Sequence, residues 1–223
     1  MDIKVWMEEL KKQLLLALCR QVVFIGLQGS YTRGEATKDS DIDVVVVFRF
    51  LTPTVLRKYR QIIDAMPYRE KVCGFVGSYE ELRAWEAGDL FQLYYDTDAV
   101  YGDLEFIKDR VNVDAAAKLA YTGSCNIYHG CCHNLLHAKS RQTLADLYKA
   151  AVFVVQAKYF IGSGGYVRKH SELAEKSTGI DRMIMQQAEL LKRDCALDDE
   201  QFNDISMQLL EWSGANIVEF GKE

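Results

Sequence analysis

The chain has 223 residues, 27 Lys+Arg against 32 Asp+Glu for a formal charge of −5, and 49% apolar residues. That length and composition exclude low-complexity disorder and allow one large domain or two small ones with a real core. The mild acidity argues against a coat for nucleic acid, whose affinity comes from Lys and Arg neutralising phosphates, and no apolar run reaches the ~18 to 20 residues of a membrane span. The N-terminus, with Asp2, Glu8 and Glu9, lacks the basic-then-apolar layout of a signal peptide, so the expected location is cytoplasmic. Six cysteines without a CxxC pair (Cys19, Cys73, Cys125, Cys131, Cys132, Cys195) read there as free thiols.

Residues 2–20 predict a helix, with Val5, Leu10, Leu14, Leu15 and Leu18 on its apolar face. Val22 to Leu27 predicts a strand ending at Gly29-Ser30, and Ile42 to Phe48 a strand covered on both faces. Thr52 to Met66 predicts a helix with Pro53 at its first position, and Val72 to Val76 a third strand. Ser78 opens a helix with Glu81 three residues on, a capping box, and Leu90 to Tyr95 reads as a fourth strand or a covered extended segment. Both prolines, Pro53 and Pro67, lie in the first third, and helical periodicity follows near 112–138, 140–161, 171–176, 180–195 and 198–220. Gly162 to Gly165 resembles a hinge. The expected division is an α/β domain over 1–104 and a helical domain over 105–223.

Chemistry concentrates in Gly29-Ser30-Tyr31-Thr32-Arg33-Gly34-Glu35 and in Asp39-Ser40-Asp41-Ile42-Asp43-Val44. A strand that ends in Gly-Ser exposes backbone N–H groups and a hydroxyl at a turn into a helix, which suits phosphate. Asp41 and Asp43, two apart at a strand start, leave the same face, where two carboxylates repel unless a cation sits between them. Hard oxygen ligands favour Mg²⁺, itself bound to phosphates. A phosphate cradle facing a metal clamp is what phosphoryl or nucleotidyl transfer requires.

This pattern resembles the nucleotidyltransferase superfamily that includes DNA polymerase beta, with its hG[GS] and [DE]h[DE]h signature. The Gly-Ser-x-x-Arg-Gly-Glu form with Ser-Asp-Ile-Asp is most similar to small bacterial members, the minimal nucleotidyltransferases and the aminoglycoside and lincosamide nucleotidyltransferases. The resemblance implies an α+β fold: a mixed sheet with helices, then an all-α bundle that binds the acceptor and also looks similar to HEPN domains. It implies that Gly29 and Ser30 hold the triphosphate, that Asp41 and Asp43 bind Mg²⁺, and that Arg33 aids phosphate binding. NTP, with ATP foremost, would be the co-substrate, a hydroxyl-bearing small molecule (an antibiotic among the options) or macromolecule the acceptor, and a homodimer the assembly.

Two departures from the family pattern stand out. The third carboxylate, expected on the next strand, is replaced by Cys73, a poor Mg²⁺ ligand, with Glu70, Asp96 and Asp98 as nearby substitutes. Residues 147–171 contain no Asp or Glu and offer Lys149, Lys158, Arg168, Lys169 and His170, read either as a basic wall for the triphosphate, clamped by Lys158 or Lys149, or as a solvated face. Cys125, His129, His133 and His137 recur every fourth residue, open to metal binding, to stacking on a substrate near this region, or to packing. Trp85, Tyr94, Tyr95 and Tyr101 read as packing first and stacking second. The rival functions are a catalytically weak nucleotide sensor and an antitoxin-like member acting on a partner protein.

Overall fold

A computed structural model describes residues 1–192 and 197–221, so Cys195 lies outside the described residues. The chain divides into two compact units, Met1–Arg110 and Val111–Glu223.

The first unit opens with α1 (Ile3–Leu18), whose N-terminal amides Lys4 and Val5 donate to the Asp2 carboxylate. Its buried residues Trp6, Met7, Leu10, Leu14 and Leu18 follow helical spacing. Then come β1 (Val22–Gln28), the single turn α2 (Ser30–Arg33), β2 (Ile42–Phe48), α3 (Pro53–Ala65), β3 (Val72–Ser78), α4 (Tyr79–Ala84), α5 (Ala87–Asp96) and β4 (Asp98–Tyr101). Thr52 caps α3 and Pro53 stands in its first turn, where its missing N–H costs nothing.

The strands order as β3-β2-β1-β4, with β2–β3 parallel and the other pairs antiparallel, the mixed sheet expected. All but one residue of β2 are buried, as its unbroken apolar run implied. Leu10 and Leu14 of α1, Ile63 of α3 and Ile25, Ile42, Val44 and Val46 of the sheet form one core on one sheet face.

Three expectations change. Residues 90–95 are helical: the Glu86 carboxylate accepts from Gly88 N (2.6 Å) and Asp89 N (3.1 Å), and Leu90, Phe91 and Leu93 are buried by the helix so started. The fourth strand is Asp98–Tyr101, on β1. Ser78 makes no side-chain cap; it ends β3, in register with Phe48, and is buried there. Finally, residues 105–110 fall in the first unit, because Ile107 is fully buried and the Arg110 guanidinium donates to the carbonyls of Arg83 and Trp85.

The second unit consists of α6 (Val113–His133), which runs into a π turn (Asn134–Ala138), then α7 (Arg141–Ser163), α8 (His170–Lys176), α9 (Gly179–Leu191) and α10 (Asp199–Phe220). α6 packs on α7 and α10, and α9 on α7. Asn112, Ser140 and Asp198 cap three of these helices, Asp198 in a reciprocal box with Gln201. The supposed hinge at Gly162–Gly165 holds the left-handed end of α7 at Gly164 (φ 72°). Among the described residues, no helix is long and apolar enough to cross a membrane.

Candidate active site

The site grows from the junction of β1 with α2. Gly29 takes φ 77° and ψ −150°, a conformation that side chains rarely adopt, and a Cβ there would come within 2.0 Å of Asp43 Oδ2. Register explains the proximity: Gln28, at the end of β1, pairs with Asp43, near the start of β2. The Gly-Ser turn and the carboxylate are thus brought into direct contact at one end of the two central strands. Asp41 is exposed just ahead of β2, and the Ile42 between the two aspartates is fully buried, so both carboxylates leave the face opposite Ile42.

Local bonds fix the turn. Thr32 Oγ1 donates to Gly29 O (2.9 Å), Glu35 N donates to Ser30 O (2.9 Å), and Gly34 closes α2 at φ 70°. Arg33, expected at the phosphates, is instead held by carboxylates. Its Nε lies 3.1 Å from Glu35 Oε2 and its Nη1 3.5 Å from Asp96 Oδ2, with the Asp96 side chain only 1% exposed. The guanidinium braces the turn from behind.

Cys73 stands in register with Asp43 on the neighbouring strand and is exposed, at the position where the family pattern led to the expectation of a third carboxylate. Of the substitutes, Asp96 is consumed by Arg33. Asp98 pairs with Leu27, whose row faces the α1 core, so it belongs to the sheet face opposite Asp43. Glu70 is exposed in the 3-10 turn Arg69–Lys71 that leads into β3. No spacing in the sequence singles out Lys71, yet the parallel ladder starts at Ile42–Val72, so Asp41 and Lys71 precede the same pair on adjacent strands.

The basic residues of the helical unit do not form one wall. Lys149 is exposed on α7, and Lys158, nine residues further at 100° per residue, lies on the opposite side of that helix. Lys158 Nζ is bound to Asp181 Oδ1 (2.8 Å) and Asn216 Oδ1 (2.9 Å), and it lies over the Trp212 ring. It is a structural cation joining α7, α9 and α10. His129, His133 and His137 are exposed, with the last two rings 5.1 Å apart, and no group of three or more His, Cys, Asp or Glu gathers among the described residues. The aromatic segment is packed within its own unit: Trp85 meets Phe75 edge-on at 5.5 Å, and Tyr95 meets Phe91 at 4.9 Å.

Residues 10–81 match the family model described as a nucleotidyltransferase domain, a span that contains Gly29, Ser30, Asp41, Asp43 and Cys73. That stretch of the chain is similar to a nucleotidyltransferase domain. No curated protein matches the sequence. Among solved structures the fold is similar to that of the spectinomycin adenyltransferase AAD(9) from Enterococcus faecialis, determined with ATP and spectinomycin. That likeness has a TM-score of 0.59 at 12% identity and covers 96% of this chain and 99% of that one. It spans the matched stretch and the helical unit alike, and at that identity it is a likeness of fold.

Proposed function

We propose that the protein transfers a nucleoside monophosphate, AMP from ATP, onto a hydroxyl of a small molecule. The observation that supports this reading is the closeness of the Gly29 backbone to the Asp43 carboxylate, which brings the Gly-Ser turn and the aspartate pair together at one end of the two central strands. Two carboxylates beside a phosphate turn fit Mg²⁺, which takes one or two protein carboxylates and completes its shell with substrate phosphates. When bound, the ion would supply charge neutralisation on the triphosphate.

The chain's own residues do the rest. The Ser30 hydroxyl and the amides around the Gly29 turn orient the phosphates, and Asp41 and Asp43 would hold the Mg²⁺ that neutralises the triphosphate. The acceptor oxygen attacks the α-phosphorus, the bond to the bridging oxygen of the β-phosphate breaks, and pyrophosphate leaves. Glu70 is the carboxylate among the sequence candidates still open to take the hydroxyl proton. The fold shared with an adenyltransferase solved with ATP and spectinomycin supports ATP as donor and a small acceptor.

Calorimetric titration of ATP and the other NTPs tests the reading, with and without Mg²⁺, into the wild type and Asp41→Ala/Asp43→Ala. The expected outcome is Mg²⁺-dependent binding that weakens at least tenfold in the variant. A folded wild type that binds no NTP would sink the proposal. A second reading, a nucleotide binder with weak turnover, is favoured by Cys73 in register with Asp43. Pyrophosphate release separates the two, and under the second reading Cys73→Asp should raise it.

A further inference from the structure

A cavity of about 360 Å³ opens on the first unit, lined by Met1, Tyr31, Ala36, Thr37, Lys38, Tyr68 and Lys71. Its lining includes none of Gly29, Ser30, Asp41 and Asp43, although Tyr31 directly follows Ser30. Its size falls within the roughly 300–1,000 Å³ of small-molecule sites. Its chemistry is one-sided: two lysines, two tyrosines and a threonine, with no carboxylate in the lining.

The two lysines are arranged rather than scattered. Lys71 Nζ donates to the Lys38 carbonyl, which ties the loop before β2 to the turn before β3 and fixes the Lys71 ammonium at the cavity. Neither lysine is ion-paired with a carboxylate among the described residues. An ammonium carries three donors, so Lys71 keeps capacity for a ligand oxygen beyond that one bond.

The tyrosines give the site its second feature. Tyr68 is left-handed at φ 61°, ψ 35°, which is uncommon for a bulky residue, and 47% exposed. Such a backbone persists where surrounding structure holds it, as at ligand clamps. Here Lys71 N donates to Tyr68 O (2.9 Å) and Trp6 Nε1 donates to Pro67 O (2.8 Å). Tyr31, packed against the α1 core, supplies an anchored ring to the same cavity.

We propose that this cavity is a second ligand site, beside the nucleotidyl-transfer site, that takes a small aromatic phosphate monoester of nucleoside-monophosphate size. Two ammonium groups meet the phosphate, and the tyrosine rings meet the aromatic part. A polycation would be repelled there.

The test titrates AMP, phenyl phosphate and adenosine in EDTA into the whole protein, so that the metal site does not contribute. The expected result is single-site binding of AMP and phenyl phosphate, with adenosine at least tenfold weaker. Lys38→Glu, at an exposed loop position, should weaken both anions at least tenfold with an unchanged Tm. Tyr68→Gly suits the left-handed backbone and should weaken phenyl phosphate while leaving inorganic phosphate untouched. Asp41→Asn/Asp43→Asn should keep AMP binding, and saturating ATP with Mg²⁺ should not displace phenyl phosphate from the wild type. The proposal is overturned by no binding to the wild type, by adenosine binding as tightly as AMP, or by anion binding undiminished in Lys38→Glu. Loss in the aspartate variant or displacement by ATP with Mg²⁺ also overturns it, by making the cavity part of the triphosphate site. Titrating ATP with Mg²⁺ into the same aspartate variant reports on nucleotidyl transfer separately.

Discussion

The guanidinium of Arg33 lies between Glu35 and the buried Asp96, with its own side chain 11% exposed. A carboxylate so far from water is tolerable because a cation and hydrogen bonds meet it, and removing one partner of such a pair typically costs about 3 to 5 kcal/mol. Arg33→Ala is therefore expected to lose about 3 kcal/mol in urea unfolding. Part of that loss should return in Arg33→Ala/Asp96→Asn, which leaves no uncompensated charge; a double variant no more stable than the single one would contradict this account. The brace also holds the strand–turn–helix corner that follows Gly29, so Arg33 supports the site through the fold of the turn. Asp96 lies 63 residues from Arg33, so nothing in the local motif separates a phosphate-binding arginine from a bracing one.

Helix α6 carries Gly123 and Gly130, two turns apart on one face, and both serve close approach to α7. A Cβ at Gly123 would meet Val154 Cγ2 at 2.7 Å, and one at Gly130 would meet Leu147 Cδ2 at 2.6 Å. The helix accepts the roughly 1 kcal/mol that an interior glycine costs because the two backbones pack closely in return. Gly123→Leu should lower stability by about 1 to 3 kcal/mol through overpacking, measured by chemical denaturation. An unchanged midpoint would mean that the helices are not in tight contact there. The same scale explains residues 90–95. Six residues that are apolar or aromatic but for Gln92 are too few for a period that separates strand from helix, and the choice fell to the Glu86 cap and to the faces available for Leu90 and Phe91.

Over the whole molecule, buried weak acids in both units favour the protonated state. Burial pushes the Tyr59 phenol, packed edge-on against Phe48, up to about 12 from its ordinary 10.0, against the opposing charge of Arg69. In the second unit burial likewise raises Tyr148, whose hydroxyl donates to Ile205 O, and pushes the Cys131 thiol up to about 12 from 9.0. The folded state holds these protons more tightly than the unfolded chain does. Their contribution is therefore complete below about pH 9 and is lost as pH climbs from 9 through 12. Thermal melts should be flat in this respect up to pH 9 and fall beyond it, and Tyr59→Phe should blunt the decline. A Tm independent of pH between 9 and 11 would contradict it. Exposed Cys19 and Cys73 should alkylate at neutral pH in the folded protein, and Cys131 should not.

The sequence by itself determined a unit of mixed strands and helices followed by a helical one, the strands at 22–27 and 42–48, and the placing of a Gly-Ser turn ahead of Asp41 and Asp43. These follow from local periodicity, from turn chemistry and from like charges placed two residues apart, all of which act over a few positions. Tertiary structure alone decided that Arg33 faces Asp96, that Lys158 is absorbed by Asp181 and that Lys38 and Lys71 share a cavity. Strand register and side-chain partnership depend on residues tens of positions apart in the chain, and their proximity is fixed by how the sheet and bundle close around their cores.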